Sequence, residues 1–574
     1  MLQSRPVKGS WVQATAVAAL LIAVVGVALP VFDNGFVYDD IDVIEHGDVI
    51  HDPSEVWNLF RTHAMYISPE HREETLLVDT YRPVTLVSFM WDSAISGRDP
   101  WAYHLTNLVM HLLCTLLMFL FVKELLGAER WPFALFAATW FALTPHPSSA
   151  HIWINGRSDL FCTAFGLAGI LLWRRALSPN AALGRRSLLV ISALLFFAGL
   201  LSKETLLFTV PALVVWPEED TTVSWLARLR RSGGFMVAAV SYLAVRMAVL
   251  GGLRTSEGDG HLLKALTFLA PLELEGLWGA LWPRRLYLRF LGEELGAFGT
   301  AHLIALAFVF ALFVGTLWLM RRRVPLITWG VFWFVSCLAP VTIIAGLLWP
   351  GFGRYLYLPS AGLAVALGSV AVRLHDGFPR WRPALALAGA VYLSLLAVHL
   401  RGWVEDFRDE ETLYTAAITK NPGSAHAYGW LAFSYLREDN VTDAIGPLTV
   451  AHQLAPDEVR YAEQLLYGFV KTQRLNAARR LAEECAPRYE SDATPFHMFL
   501  LNDTHMTRPE TASFHVLECL RKYPGSQECG SAFERLVTEH PMKLRYRELI
   551  RTQLEQERLA AVRRQTDPLM RSLP

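Results

Sequence analysis

Charged residues are scarce in this chain. Only 18% of its 574 residues are Asp, Glu, Lys or Arg, whereas 53% are hydrophobic, and the mean hydropathy is +0.29. A soluble domain carries about 25% charged residues, so this shortage excludes an ordinary soluble protein and indicates an integral membrane protein. The formal net charge of −1 also argues against nucleic acid as a partner, because a nucleic-acid-binding protein is expected to carry a basic stripe.

Cysteine is also scarce, and none lies in a metal-binding pattern. Of the six cysteines, Cys114, Cys162 and Cys337 lie inside apolar segments, where a cysteine is usually a small buried hydrophobe. No Cys-x-x-Cys pair and no mixed Cys/His spacing occurs. These observations argue against a disulfide framework and a zinc-binding module, and leave open whether Cys519 and Cys529 form a bridge.

Long hydrophobic runs dominate the first 400 residues. The first run, 11–32, is too long for the apolar core of a signal peptide and lacks a small-residue cleavage site, which predicts an uncleaved transmembrane helix. A span needs roughly 20 apolar residues. The sequence predicts about eleven spans, at about 11–32, 103–122, 132–146, 158–174, 187–201, 204–217, 233–250, 301–320, 325–347, 356–373 and 384–400.

The distribution of Arg and Lys predicts an orientation for these spans. With a cytoplasmic N-terminus, the inner loops hold most of the cations, and the short outer loops hold one each, at Arg157, Lys203 and Arg354. Two outer loops are long, about 33–102 and 251–300, and each is predicted to contain an amphipathic helix in the membrane interface. The C-terminal region is then expected to be periplasmic on a bacterial inner membrane, or lumenal on the endoplasmic reticulum membrane of a eukaryote.

After residue 402 the chain becomes polar, and a 34-residue period appears between Pro422 and Pro456. This is the tetratricopeptide period, and the repeat positions carry the expected alternation of small and large residues. We therefore predict an all-α protein, with a polytopic helical bundle over 1–402 and a soluble tetratricopeptide-repeat α-solenoid over 403–574. The residues on the repeat positions are Tyr428, Leu431, Ala432, Tyr435, Ala444, Leu448 and Ala451.

Unusual polar motifs gather on the predicted outer side of the membrane. They read "YDDIDVI", "YRPV", "TPHPSSAHIWINGRSD", "LSKET" and "GFGRYLYLPS". Polar residues with a purely structural role are not expected to segregate in this way. The clustering therefore supports one external site at the level of the membrane.

The same motifs resemble those of a known family. The segments "FVYDD", "YRPVTLVSF", "AYHLTNLVMHLL", "FALTPHPSSAHIWINGRSDLF", "LSKETLLFTVPALVV" and "RYLYLPSAGL" occur in this order over about 30–440. They resemble the transmembrane and tetratricopeptide-repeat O-mannosyltransferases, which belong to the C-type glycosyltransferase superfamily, and their bacterial relatives. The resemblance implies a polytopic enzyme that uses a polyprenyl-phosphate sugar and carries an acidic motif in its first external loop.

The resemblance implies a catalytic base and a phosphate site. A serine or threonine hydroxyl needs a base within hydrogen-bond reach, and Asp40 or Asp39 is expected to provide it, with Asp40 favoured. A lipid phosphate that leaves needs cations, for which we expect Arg354, Arg82 and Lys203. The alternatives are that the two aspartates cap the exit loop or form a solvated acidic turn, that Lys203 pairs with Glu204 or reaches to the interface, and that Arg82 anchors an interfacial helix.

Other polar residues are expected to position the substrates. His104 shares a helix face with Asn107 and His111, and the alternative is that these side chains only join helices by hydrogen bonds. A divalent metal at the loop with His146 and His151 is weakly indicated, but the spacing matches no known ligand pattern, so no metal ligand is assigned. The predicted positioning residues are His104, His146, His151, Arg157, Asp159, Glu204 and Tyr355.

We expect a membrane glycosyltransferase that moves a hexose, expected to be mannose, from a polyprenyl-phosphate donor to Ser or Thr hydroxyls of exported proteins, with inversion. The donor is a substrate, no cofactor is assigned, and the solenoid is expected to hold the acceptor polypeptide. One alternative keeps this fold with a lipid or cell-wall glycan as acceptor. Another is a non-enzymatic, membrane-anchored assembly scaffold, which leaves the one-sided polar clustering unexplained.

Overall fold

The structure is a computed structural model that describes residues 8–63, 80–178, 184–217, 223–251, 277–282, 325–344 and 352–488. The regular elements in these ranges are all helical, which confirms the predicted all-α class. The chain divides into two compact units, Met1–Asn421 and Pro422–Pro574. The main α-helices that the structure describes in the first unit are α1 (Lys8–Ala28), α2 (Val56–Leu59), α3 (Pro83–Ser96), α4 (Trp101–Leu126), α5 (Trp131–Leu143), α6 (Pro145–Ile152), α7 (Arg157–Leu177), α8 (Arg185–Ser202), α9 (Val210–Val214), α10 (Trp225–Arg231), α11 (Gly233–Leu250), α12 (Pro325–Ile344), α13 (Tyr357–Gly377), α14 (Arg382–Asp406) and α15 (Glu410–Lys420).

Seven helical segments in the described ranges are long and apolar enough to span a bilayer, as a polytopic membrane protein requires. The orientation derived from the basic residues stays a prediction. The seven segments are Trp11–Asp33, Trp101–Leu126, Ile154–Leu177, Arg185–Ser202, Gly233–Leu250, Gly353–Gly377 and Pro379–Asp406.

The four remaining predicted spans differ from this set. The 132–146 span corresponds to the shorter α5, and 325–347 overlaps α12. The 204–217 span is divided into a 3-10 segment, Glu204–Thr209, and α9, which begins next to Pro211. The 301–320 span lies outside the described residues, so the total of eleven stays a prediction.

Close helix packing at small residues brings the functional segments together. Gly330 on α12 and Gly362 on α13 face each other so closely that a Cβ on either would overlap the carbonyl oxygen of the other. At Gly156, between α6 and α7, an added Cβ would lie 2.6 Å from the backbone oxygen of Ala150. Glycine therefore lets the chain fold back tightly between these two helices.

The described parts of the first loop predicted to be external, 33–63 and 80–102, contain short helical segments that pack around a small hydrophobic cluster, which includes Ile44, Leu59 and Phe89. Helix α3 is two-sided, because Phe89 is fully buried whereas 70% of Trp91 is exposed. This pattern is amphipathic, as the sequence predicted. The helix predicted in 251–300 lies almost entirely outside the described residues, which include only 277–282 of that stretch.

The described part of the second unit is a run of four helices in which each packs on the next: α16 (Ala425–Arg437), α17 (Val441–Leu454), α18 (Val459–Lys471) and α19 (Leu475–Arg488). Ala432, Ala444 and Leu448, three of the predicted repeat positions, are fully buried in their core. The complete solenoid stays a prediction, and Cys519 and Cys529 lie outside the described residues. The first unit extends past the predicted boundary at 402, because α15 and the end of α14 bond to the loop after α1.

Candidate functional site

The acidic loop that follows α1 places its two adjacent carboxylates in different environments. A 3-10 turn, Leu29–Asp33, prolongs α1 and ends at the extended backbone of Asn34. The amide of Asp40 then donates to the carbonyl of Val37 at 3.1 Å and closes a turn that contains Tyr38 and Asp39. Asp40 is fully buried, whereas Asp39 is partly exposed.

Asp40 connects the acidic loop to the segment between α6 and α7. Its Oδ1 accepts the backbone N–H of Asn155 at 2.8 Å, and its Oδ2 lies 3.5 Å from the amide nitrogen of Val37. Burial raises the pKa of Asp40 well above its usual value, although the Asn155 N–H opposes this shift. Because both carboxylate oxygens face backbone donors, Asp40 is placed to hold two loops together.

Asp39 has the exposure and acidity that a proton acceptor needs. Burial raises its pKa to about 6, the guanidinium of Arg354 opposes this shift, and the carboxylate of Asp42 adds to it. Arg82 also acts electrostatically on Asp39, so charges from three distant stretches of the chain lie close enough to influence one another. A carboxyl group with a pKa close to neutral pH can accept a proton efficiently and release it again.

Arg354 is a buried cation without a carboxylate partner among the described residues. It lies in the 3-10 turn before α13, with only 6% of its surface exposed. Its Cζ lies 4.1 Å from the ring centroid of Trp153, and Nη2 donates to the hydroxyl of Tyr355 at 3.3 Å. Its Nε has no hydrogen-bond partner within the part of the chain that the structure describes. A buried guanidinium held by aromatic faces, with an unused N–H, is suited to binding an anion.

The other two predicted phosphate ligands already have carboxylate partners. Arg82 forms a two-pronged ion pair with Glu204, with N–O distances of 2.7 and 3.3 Å. Lys203, fully buried, pairs with Asp159 at 2.5 Å. Neither pair is the Lys203–Glu204 pair considered from the sequence. The Nζ of Lys203 also lies 4.7 Å from the ring centroid of Tyr355, which adjoins Arg354.

Arg157 lies inside the protein and links three helices. Neither Arg157 nor Asp92 has any exposed side-chain surface, and they form an ion pair at 2.5 Å. Arg157 also donates to Oδ1 of Asn107 at 2.6 Å and to the carbonyl of Tyr103 at 2.7 Å. These bonds join α7 to α3 and α4, so Arg157 stabilises the arrangement of these three helices.

The predicted histidines connect helices within the bundle. His104 Nε2 lies 3.2 Å from the carbonyl oxygen of Asn34 and so connects α4 to the acidic loop. His151 stacks on His111, with ring centroids 4.1 Å apart. The side chain of His146 lies outside the described part of the structure. No group of three potential metal ligands occurs among the described residues.

Several residues of the site escaped prediction from the sequence. Tyr38 and Trp153 form an aromatic pair with ring centroids 5.6 Å apart, and Arg354 lies against the same indole. Trp153 occurs within the quoted motif "HIWING", but only the charged and histidine residues of that stretch were assigned roles. Asp92 had no local signal, because its partner is far away in the sequence.

Comparison with known proteins finds several protein O-mannosyl-transferases. Protein O-mannosyl-transferase TMTC3 from Mus musculus is 23% identical over 471 residues, which cover 74% of this chain and 49% of that protein. The Homo sapiens protein of the same name is 24% identical over 76% of this chain and 51% of its own length. Protein O-mannosyl-transferase TMTC2 from Mus musculus is 31% identical over 27% of this chain and 18% of its own length.

The chain thus spans about half the length, or less, of these curated relatives. No family model and no solved structure matches. The matches nevertheless confirm the resemblance read from the sequence motifs: over much of its length, the chain is similar to curated protein O-mannosyl-transferases.

Proposed function

We propose that this protein is a membrane glycosyltransferase that moves a hexose, expected to be mannose, from a polyprenyl-phosphate carrier to Ser or Thr hydroxyls of polypeptides. The names of its relatives and its membrane-spanning helices support this proposal. The observation that carries it is that a partly exposed carboxylate, Asp39, lies close enough to a buried guanidinium suited to binding an anion, Arg354, for that guanidinium to lower the pKa of the carboxyl group. Proton removal from a hydroxyl and charge stabilisation on a phosphate are the two tasks of this transfer.

In the proposed reaction Asp39 accepts the proton of the acceptor hydroxyl while its oxygen attacks the anomeric carbon of the sugar. The bond from that carbon to the phosphate oxygen breaks in the same step, and polyprenyl phosphate leaves as an anion. This single displacement inverts the anomeric configuration. Arg354 donates to the leaving phosphate, and Asp39 afterwards releases its proton to water. Asp39 is preferred to Asp40, the residue favoured by the sequence, because Asp40 is enclosed and already bonded to backbone donors.

The remaining predicted residues are proposed to support these two groups. Arg82 and Lys203 contribute positive charge near the phosphate, and Glu204 and Asp159 fix their positions. Tyr355 orients Arg354, whereas His104, His151 and Arg157 brace the surrounding helices. The repeat unit is proposed to hold the acceptor polypeptide, and the site is proposed to face away from the cytoplasm.

The direct test combines the purified full chain with polyprenyl-phosphate mannose and Ser/Thr-containing peptides, and detects glycopeptide by mass spectrometry. Mannosylated peptide supports the proposal. Transfer to added lipid or glycan acceptors but not to the peptides would show that the acceptor is a lipid or glycan and not a polypeptide. No transfer from this donor to any of these acceptors would contradict the proposed activity.

Replacement of Arg354 by Gln is expected to lower kcat/KM for the donor on the order of 100-fold, because the leaving phosphate loses a charged donor in a dry site. Steady-state kinetics with varied donor concentration checks this. Arg130→Gln is the control, since Arg130 is an exposed guanidinium that pairs with Asp376. Equal kcat/KM for Arg354→Gln and wild type would remove Arg354 from the phosphate site.

The pH dependence of kcat/KM for transfer should follow the protonation of the Asp39 carboxylate. A base acts when deprotonated, so kcat/KM should rise with pH up to about 6 and stay level above it, with about a tenfold loss per pH unit below 6. Because Arg354 lowers the pKa of Asp39, the inflection should move to higher pH in Arg354→Gln. Rates measured from about pH 4.5 to 8 test both points, and a flat profile would contradict the assignment.

A further inference from the structure

The segment from the end of α14 to the start of α15 forms hydrogen bonds to the acidic loop, although the two are far apart in the sequence. Three hydrogen bonds join the two segments: Asn34 Nδ2 to the carbonyl of Val404 at 3.0 Å, the amide of Gly35 to the carbonyl of Arg408 at 2.8 Å, and the amide of Tyr38 to Oε1 of Glu410 at 3.2 Å. The last of these bonds uses a side chain, so its acceptor depends on residue type at that position.

Tyr38 needs such an anchor because its backbone is strained. Its φ of +57° lies in the left-handed region, which non-glycine residues rarely adopt because it is sterically strained. The surrounding contacts must hold this conformation, and two of them come from distant parts of the sequence. The ring of Tyr38 packs on Trp153, and its amide donates to Glu410.

The backbone of Tyr38 determines where the next side chain points. Asp39 follows Tyr38 directly inside the turn closed by the Asp40 amide and the Val37 carbonyl. If φ of Tyr38 relaxed toward negative values, the peptide that leads into Asp39 would rotate and the carboxylate would move away from Arg354.

Glu410 is itself fixed in place. The hydroxyl of Tyr414, one turn later on α15, donates to the same Oε1 at 3.0 Å. The carboxylate is thereby directed at the Tyr38 amide, and it does not need to contact either substrate.

We propose that Glu410 is a positioning residue that holds Tyr38 in its strained conformation and thereby aims the carboxylate of Asp39 at the reacting hydroxyl. This inference rests on the proposed function of Asp39. It makes α15 part of the catalytic unit, although the sequence assigned that segment to the repeats.

The test compares three variants of the full chain. Glu410→Ala removes the acceptor and is expected to lower kcat about tenfold or more while the donor KM stays within about twofold, because a displaced base slows the chemical step without weakening donor binding. Glu410→Gln retains an amide oxygen at the same place and should restore kcat to within about threefold of wild type. Glu411→Ala, at the exposed neighbouring acid, controls for loss of charge on α15.

Hydrogen–deuterium exchange gives a readout that does not need activity. The peptide that contains 35–41 should exchange faster in Glu410→Ala than in wild type, Glu410→Gln and Glu411→Ala. Unchanged exchange in Glu410→Ala, or an equal loss of kcat in Glu410→Gln and Glu410→Ala, would overturn the proposal. A wild-type protein that transfers no sugar contradicts the proposed function instead, and the exchange data still decide whether Glu410 holds the loop.

Discussion

Replacement of Asp39 by Asn is expected to lower the rate of sugar transfer about 10²–10⁴-fold, the range attributed to a positioned general base. The amide has nearly the same shape as the carboxyl but cannot accept the hydroxyl proton. The donor should still bind, because Arg354 and its aromatic neighbours are unchanged. Single-turnover rates at saturating donor, together with the donor KM, measure the two effects separately.

Two neighbouring acids serve as controls for this prediction. Asp42→Asn removes an exposed carboxylate from the same loop and should leave the rate within about threefold of wild type. Asp40→Asn should mainly lower stability, since one of the two oxygens that face backbone N–H groups becomes an NH₂. If Asp40→Asn abolished transfer in folded protein while Asp39→Asn retained it, the roles of the two residues would be reversed.

Replacement of Asp92 by Asn is expected to destabilise the membrane unit by about 3–5 kcal/mol. Removal of one partner of a fully buried ion pair leaves the other charge, here the guanidinium of Arg157, without compensation. The remaining acceptors of Arg157 are neutral: Asn107, the Ser88 hydroxyl and the Tyr103 carbonyl. Equilibrium unfolding in detergent measures this change, supported by the melting temperature.

The chain offers a matched control for this effect. Asp48 pairs with Arg98 at 3.0 Å, but both side chains are largely solvent-exposed. Asp48→Asn should therefore change stability by less than about 1 kcal/mol. A similar loss in both variants would contradict the idea that burial makes the Asp92–Arg157 pair important.

Structural features could be predicted from the sequence where they depend on residues that are close together in the chain. Apolar length locates helices such as α4 and α8, because a backbone in lipid must satisfy its hydrogen bonds within the helix. The sequence was also informative about polar residues at predicted outer ends of helices, such as Asp39, Arg82 and Arg354, which the fold brings to one place.

Pairings between distant side chains could not be read from the sequence. Lys203 and Glu204 are adjacent, which suggested a mutual ion pair. The backbone at Lys203 is extended, with φ −161° and ψ 134°, so consecutive side chains point in opposite directions, and each reaches a different partner. For the same reason the choice between Asp39 and Asp40 depended on Asn155, a donor that belongs to another loop.

The hydrogen bond between Glu410 and the Tyr38 amide is the clearest example of a contact that could not be predicted from the sequence. The composition after residue 402 is polar and favours a soluble repeat, and this pattern carries no information about a bond to a residue near the N-terminus. Long-range contacts of this kind are fixed by the packing of α14 against the exit of α1, and not by local sequence.

The guanidinium of Arg354, which lies against the indole of Trp153, also links donor binding to the proton affinity of Asp39. Its positive charge keeps Asp39 a weaker proton acceptor than burial alone would make it. In the proposed reaction, an anionic carrier that neutralises this charge raises the proton affinity of the carboxylate when a sugar is present to receive the attack. The proposed donor would then activate the base that consumes it.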